Sequence, residues 1–222
     1  MIVYDATQFN NKPAGLLPGC SPITMLYGFQ LWPNGAKQDQ LPARDLVESL
    51  VAGQDGVICV DVESWLYTNP VSFSLSIRLL KMIREFAPLS KVGWYDMPQC
   101  ETISTDSWWG PYNVYRSRDN IKQIRGPLKG LLDLYFPCMY GPGDADQWQQ
   151  QADHNLWLTG QFLDMVPFLC PGQSGGGPNS PTTLTGLKYC KTNNLACVLW
   201  CGPSDTLDVS SDWYKFLVPQ RT

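Results

Sequence analysis

Two acidic side chains, Asp61 and Glu63, stand at the end of an apolar run where their spacing suits acid–base chemistry. The run starts at Gly56 and is rich in Val and Ile, which predicts a short buried strand. Alternate residues of a strand share a face, so we expect Cys59, Asp61 and Glu63 on one face, with the carboxylates about 6 to 7 Å apart along the backbone. The other face is apolar and is predicted to lie beneath a helix: Ile58, Val60 and Val62.

Such a pair of carboxyl groups suits the cleavage of a glycosidic bond, in which one protonated acid donates to the leaving oxygen. Two neighbouring carboxyls do not ionise equally, so their pKa values are expected to separate. Glu63 is the candidate acid because its longer side chain reaches further into a cleft. Asp61 would orient and polarise the substrate. Since both acids come from one strand, neither lies across the sugar as a nucleophile. This favours substrate-assisted cleavage, in which an N-acetyl group of the sugar attacks its own anomeric carbon.

The elements that position these acids alternate between apolar runs and helical patterns, which predicts one domain, residues 1–222, with an α/β fold. We predict a distorted parallel (β/α) TIM-like barrel with about seven strands. A doubly wound open sheet is the competing topology, but the chain has no Gly-x-Gly-x-x-Gly turn after a strand. The predicted strands are 2–9, 23–29, 56–65, 92–97, 131–140, 165–170 and 195–200. The predicted helices are 44–52, 69–86, 119–129, 144–162, 182–191 and 211–217.

Polar and aromatic residues gather where the predicted strands end, the edge at which barrels of this kind hold their active sites. They are Asp5, Asp61, Glu63, Tyr95, Tyr140 and Trp200. For Asp5 two interpretations are open, a third acid in the cleft or a turn-forming residue that caps Thr7.

The amino-acid composition limits which classes of binding partner and cofactor are expected. The net charge is −4 and no cluster of Lys or Arg is visible, which argues against nucleic acid and anionic membranes. With one His among 222 residues, a zinc site is not expected, and no cofactor motif is present. No export signal or membrane-spanning run is visible, so a soluble protein is predicted. The 8 Cys are interpreted as buried thiols, with a Cys100–Cys138 disulfide as the alternative in an oxidising setting.

The order of several motifs resembles the hyaluronidase family of glycoside hydrolases. The segment 61–65 resembles the Asp-x-Glu-x-Trp catalytic strand of that family, and the other segments are similar to its second, fourth, fifth and last strands. These segments are Ile-Thr-Met-Leu-Tyr at 23–27 with Trp32-Pro33, Gly-Trp-Tyr-Asp-Met-Pro at 93–98, Tyr-Phe-Pro-Cys-Met-Tyr at 135–140, and Val-Leu-Trp at 198–200.

The resemblance implies an endo-acting, retaining glycosidase for a polysaccharide that contains N-acetylhexosamine. It implies Glu63 as the proton donor and Asp61 as the group that positions the acetamido group. The residues that would bind the sugar are Tyr95, Tyr140, Trp200 and Trp65. Leu66-Tyr67 follows Trp65 where the family has Arg-Pro. A viral or bacterial relative acting on another N-acetylhexosamine polymer is therefore an alternative to an enzyme for hyaluronan.

Three further alternatives are open. Trp108 and Trp109, with Tyr112 and Tyr115, form either a sugar-stacking lid or a self-packed loop. The chain is alternatively a muramidase-type lysozyme that uses Asp5 with the Asp-x-Glu strand. It is also compatible with a non-catalytic carbohydrate-binding or phage structural barrel.

Overall fold

The computed structural model describes most of the chain, and all structural statements below concern the described residues. They are 1–7, 17–33, 39–65, 69–95, 126–139, 145–159, 163–171, 181–202, 207 and 210–218. Outside them lie the predicted loop 172–178, residues 8 and 9 of the first predicted strand, and residues 119–125 of one predicted helix.

Most of the described strands and helices fall where the sequence predicts them, although several strands follow one another without a described helix between them. The strands are β1 (Val3–Ala6), β2 (Ser21–Pro22), β3 (Thr24–Tyr27), β4 (Val57–Asp61), β5 (Lys91–Tyr95), β6 (Leu134–Phe136), β7 (Asp164–Met165), β8 (Phe168–Leu169) and β9 (Cys197–Trp200). The helices are α1 (Gly28–Leu31), α2 (Arg44–Val51), α3 (Pro70–Phe86), α4 (Ala145–Thr159), α5 (Pro181–Thr192) and α6 (Asp212–Leu217). None of these helices combines the length and the apolarity that crossing a bilayer requires.

All pairings between these strands are parallel. The described strands form two separate sheets, and no closed sheet is present among them. The orders are β2-β1-β9-β8 and β3-β4-β5-β6-β7. Residues 21–27 contribute an edge strand to each sheet, and so do residues 164–169. The predicted parallel α/β architecture is therefore present.

One predicted strand, 165–170, is interrupted, because Pro167 lies between β7 and β8. The predicted strand 23–29 ends earlier than expected, at Tyr27, and the short strand β2, which ends at Pro22, precedes it. A proline has no N–H to donate to a sheet, so the ladder breaks at its position. The predicted helix 119–129 is wrong at its end, because residues 126–129 form a turn. There Gly126 and Pro127 disfavour a helix interior.

The two faces of β4 differ as its sequence predicts. Cys59 belongs to an apolar cluster with residues of the other strands, among them Phe136 and Phe168. Ile58 and Val60 belong to a second cluster that includes the buried face of α3. Asp61, which ends the strand on the Cys59 side, therefore lies at the rim of the cluster formed by the strands.

Local signals set one end of each of three helices. The Asn69 side chain accepts hydrogen bonds from the N–H groups of Val71 at 2.9 Å and Ser72 at 3.3 Å, so α3 begins at the predicted cap. Gly53, with φ of 76°, follows α2, and Asn194, with φ of 52°, follows α5. Both take the left-handed conformation that commonly ends a helix.

Gly93 of β5 is packed too closely for any side chain. A Cβ there would lie 2.5 Å from Cε2 of Phe136 and 2.8 Å from the backbone oxygen of Leu134. Gly93→Ala is expected to lower the free energy of unfolding by about 1 to 3 kcal/mol, measured by urea denaturation, because the core has no room to yield. Gly56→Ala is the matched control, since nothing lies within 4 Å of its Cβ position. Equal stability of the two variants would contradict this account of the packing.

Candidate active site

Asp61 and Glu63 lie where β4 leaves the sheet. Asp61 is the last residue of the strand and is half-buried, whereas Glu63 is exposed in the turn that follows. The N–H of Trp65 donates to the carbonyl oxygen of Val62 at 3.1 Å and closes that turn. The prediction that strand pleating orients both acids is therefore wrong for Glu63, which lies beyond the strand and is oriented by the turn.

The buried side chain of Trp65 holds this turn against the hydrophobic core. The residue is 4% exposed and lies among buried tryptophans in the cluster covered by the helices. Its ring meets Trp32 edge-on with the centroids 5.0 Å apart and stacks near Trp94 at 6.2 Å. This position supports the turn that carries Glu63 and leaves little of the ring for the sugar contact expected from the sequence.

Burial around Glu63 changes its acidity. Desolvation raises the pKa of the Glu63 carboxyl above its ordinary value of 4.5. The side chain reaches solvent, yet its pKa is raised, because the surrounding protein removes part of the water that would stabilise the carboxylate. A carboxyl with a raised pKa retains its proton closer to neutral pH, as a general acid requires.

Tyr27 is a site residue that the sequence analysis did not single out. It ends β3, directly beside Asp61 in the register of the neighbouring strand. Its side chain is hydrogen-bonded to Trp200, whose indole N–H is the donor. Burial raises the pKa of the Tyr27 hydroxyl, the indole hydrogen bond opposes this rise, and the nearby carboxylate of Asp61 adds to it.

Asp61, Tyr27 and Trp200 are thus brought together from β4, β3 and β9. Trp200 is half-buried at the end of β9 and lies opposite Ala6 of β1. Two signals in the sequence pointed to Tyr27: its place at the end of the strand before the acid-bearing strand, and its position in the Ile-Thr-Met-Leu-Tyr segment at 23–27.

Tyr95 lies at the same edge, as expected. It ends β5, is buried, and meets the ring of Phe168 edge-on at 5.0 Å. Its backbone is hydrogen-bonded to the thiol of Cys59, whose pKa is raised by burial and further by Asp61. Tyr95 is therefore held against the strand that carries the acids.

Asp5 has a different environment from Asp61. Its Oδ1 accepts hydrogen bonds from the N–H of Thr7 at 2.9 Å and the Thr7 hydroxyl at 2.6 Å. Its Oδ2 accepts from the N–H of Leu17 at 2.6 Å. Because Tyr4 and Ala6 belong to the cluster between the strands, alternation directs Asp5 to the opposite face. These contacts favour the turn-forming interpretation over a third cleft acid.

Three predicted sugar-binding residues, Tyr140, Trp108 and Trp109, lie outside the described residues and stay predictions. The same holds for the proposed lid around Tyr112 and Tyr115. In the part of the chain that the structure describes, no three His, Cys, Asp or Glu side chains gather as a metal ion would require. Cys59, Cys190 and Cys197 are buried thiols there.

The raised pKa of Glu63 predicts a pH dependence of stability. The folded protein holds this proton more tightly than the unfolded chain does. The stabilisation from Glu63 is therefore fully present below pH 4.5 and is lost as the pH rises through the folded pKa. Urea denaturation across this range should show Glu63→Gln at least as stable as the wild type near neutral pH. A carboxyl 13C titration of Glu63 with a midpoint below 4.5 would contradict the shift.

The fold is similar to that of bee venom hyaluronidase. A monoclinic crystal structure of that enzyme matches with a TM-score of 0.63 and 13% sequence identity over 91% of this chain and 91% of that chain. The same enzyme in complex with a hyaluronic acid tetramer matches with 0.63 and 14% identity over 91% of this chain and 90% of that chain. No known protein family and no curated protein matches the sequence. The likeness confirms, at the level of the fold, the distant hyaluronidase-like relationship that the motif order predicts.

Proposed function

We propose that this protein is a glycoside hydrolase that cleaves a polysaccharide containing N-acetylhexosamine, internally and with retention of configuration. One observation carries the proposal: Glu63, whose pKa is raised by desolvation, directly follows the cluster of Asp61, Tyr27 and Trp200 at the end of β4. The hyaluronidase-like fold supports a glycosidase at the general level.

The proposed reaction starts with proton transfer from the Glu63 carboxyl to the glycosidic oxygen. The acetamido carbonyl oxygen of the same sugar attacks the anomeric carbon as the bond to the leaving sugar breaks. Asp61, ionised, accepts a hydrogen bond from the acetamido N–H and stabilises the positive charge of the cyclic intermediate. The Glu63 carboxylate then removes a proton from a water molecule, whose oxygen attacks the anomeric carbon. The bond between that carbon and the acetamido oxygen breaks, which restores the N-acetyl group, and Glu63 is again protonated.

Tyr27, Tyr95 and Trp200 would form the walls around that sugar, and Tyr140 would join them. Tyr27 is half-buried beside Asp61, and its hydroxyl supplies a polar group in an otherwise aromatic wall, which suits the orientation of a sugar ring. No metal or cofactor takes part in this scheme.

We also infer that the two sheets are halves of one distorted (β/α) barrel of about seven strands within one domain, residues 1–222. Residues 21–27 and 164–169 each pass from one sheet to the other, so both sheets share their edges. In this arrangement β3, β4, β5 and β9 direct their carboxyl ends, with Tyr27, Asp61, Tyr95 and Trp200, to one opening.

A substrate panel tests the proposal. Purified wild-type protein is incubated with hyaluronan, chondroitin, chitin oligomers and peptidoglycan, and the release of reducing ends is measured. We expect cleavage of at least one polymer, with hyaluronan favoured by the ligand of the bee venom enzyme. Binding of a polymer without any release would instead favour the non-catalytic carbohydrate-binding barrel.

A further inference from the structure

Phe29 is an exposed aromatic residue at the edge of the sheet that carries the candidate site. It lies in α1, directly after β3, and is 53% exposed. Its ring stacks on that of Tyr27, with the centroids 5.3 Å apart and the planes at 11°. Single exposed apolar side chains are common on protein surfaces. Phe29 differs from the other exposed apolar residues of the described chain in its stacking on a ring of the candidate site.

Local hydrogen bonds hold Phe29 in place. The Tyr27 N–H donates to Oε1 of Gln30 at 2.9 Å, and the Trp32 N–H donates to the Gly28 carbonyl at 2.9 Å. Leu31 is also buried and fixes the turn to the core. A ring presented on such a rigid turn loses little conformational entropy when it binds a ligand.

The Phe29 ring continues the wall of the candidate site outward. Tyr27 contacts Phe29 on one side, is hydrogen-bonded to Trp200, and is the register partner of Asp61. Phe29 therefore adds one further ring to the aromatic surface that Tyr27 forms beside Asp61. The apolar C–H face of a pyranose matches such a flat ring, because stacking removes both surfaces from water.

We propose that Phe29 is the platform of an additional sugar-binding subsite, which holds a pyranose of the same polymer beyond the sugar at Asp61. The subsite rests on the proposed function for the identity of its ligand. Its energetic role would be to bind longer chains more tightly, with little effect on the bond-breaking step itself.

The test measures binding as a function of chain length. Calorimetric titrations use disaccharides, tetrasaccharides and hexasaccharides of hyaluronan and chitin, with the Glu63→Gln protein so that no turnover occurs. Adding Phe29→Ala is expected to raise Kd about tenfold for the longer oligomers and to leave the disaccharide unchanged. Phe29→Trp should preserve the preference for longer chains, and Leu89→Ala, at an 80% exposed residue that precedes β5, should have no effect.

The outcomes separate the subsite from the proposed function. An equal loss for all lengths, no loss, or no binding of any oligomer would overturn the subsite. Length-dependent binding through Phe29 in a wild-type protein that cleaves none of the polymers would support the subsite while the proposed hydrolysis fails. Thermal unfolding of each variant checks that folding is intact.

Discussion

Glu63→Gln is expected to lower kcat by about a hundredfold to ten-thousandfold, the usual contribution of a general acid. Gln has almost the same shape but no proton to transfer, so the leaving oxygen would depart as an unstabilised anion. The turn around Trp65 is unaffected by the change, so KM should shift little. Release of reducing ends from the polymer that the wild type cleaves measures both constants.

Two further measurements make the assignment of Glu63 specific. A nitrophenyl N-acetylhexosaminide has a leaving group that needs no protonation, so the rate loss of Glu63→Gln should be far smaller on it than on the polymer. Glu48→Gln is the matched control, since Glu48 is exposed on α2 and distant in sequence from the site. An equal loss on both substrates would show that Glu63 is not the acid.

Asp61→Asn is expected to lower kcat by about a hundredfold to a thousandfold, because the variant cannot stabilise charge that develops on the acetamido group. Here the loss should persist on the nitrophenyl substrate, since Asp61 acts on the attacking group rather than the leaving group. Replacing the N-acetyl group of that substrate by N-trifluoroacetyl should slow the wild type strongly. The same replacement should reduce the rate of the Asp61→Asn variant, which is already slow, by a much smaller factor.

Asp5→Asn is the control for Asp61→Asn, with the same substitution at the end of another strand. It weakens the hydrogen bonds from Thr7 and Leu17, so we expect the free energy of unfolding to fall by about 1 to 3 kcal/mol with activity per folded molecule retained. Loss of activity in a stably folded Asp5→Asn protein would favour the muramidase alternative, in which Asp5 is essential.

Several features of the molecule follow from local sequence. The Asn69–Pro70 cap predicts the start of α3, and Gly53 predicts the end of α2, because capping depends on atoms only a few residues apart. The alternation of Cys59 with its β-branched neighbours predicts which face of β4 is covered by helices, since side chains of a strand repeat every second residue. The motif order likewise predicts the hyaluronidase-like fold.

Other features depend on how distant strands pair, and local patterns do not contain that information. Tyr27 lies beside Asp61 because β3 pairs with β4, and it reaches Trp200 through a hydrogen bond to a strand of the other sheet. The turn after Asp61 moves Glu63 out of the strand pattern and into surroundings that raise its pKa.

Asp5 and Trp65 also show that local sequence does not reveal which residues are neighbours in space. Their residue types suit a sugar cleft, but their neighbours in space are a backbone loop and two buried tryptophans. The sequence alone therefore determined which residues are able to do chemistry and where capping residues begin α3 and end α2. The tertiary structure decided which of these residues lie together, because strand register and burial are set by contacts between residues far apart in the chain.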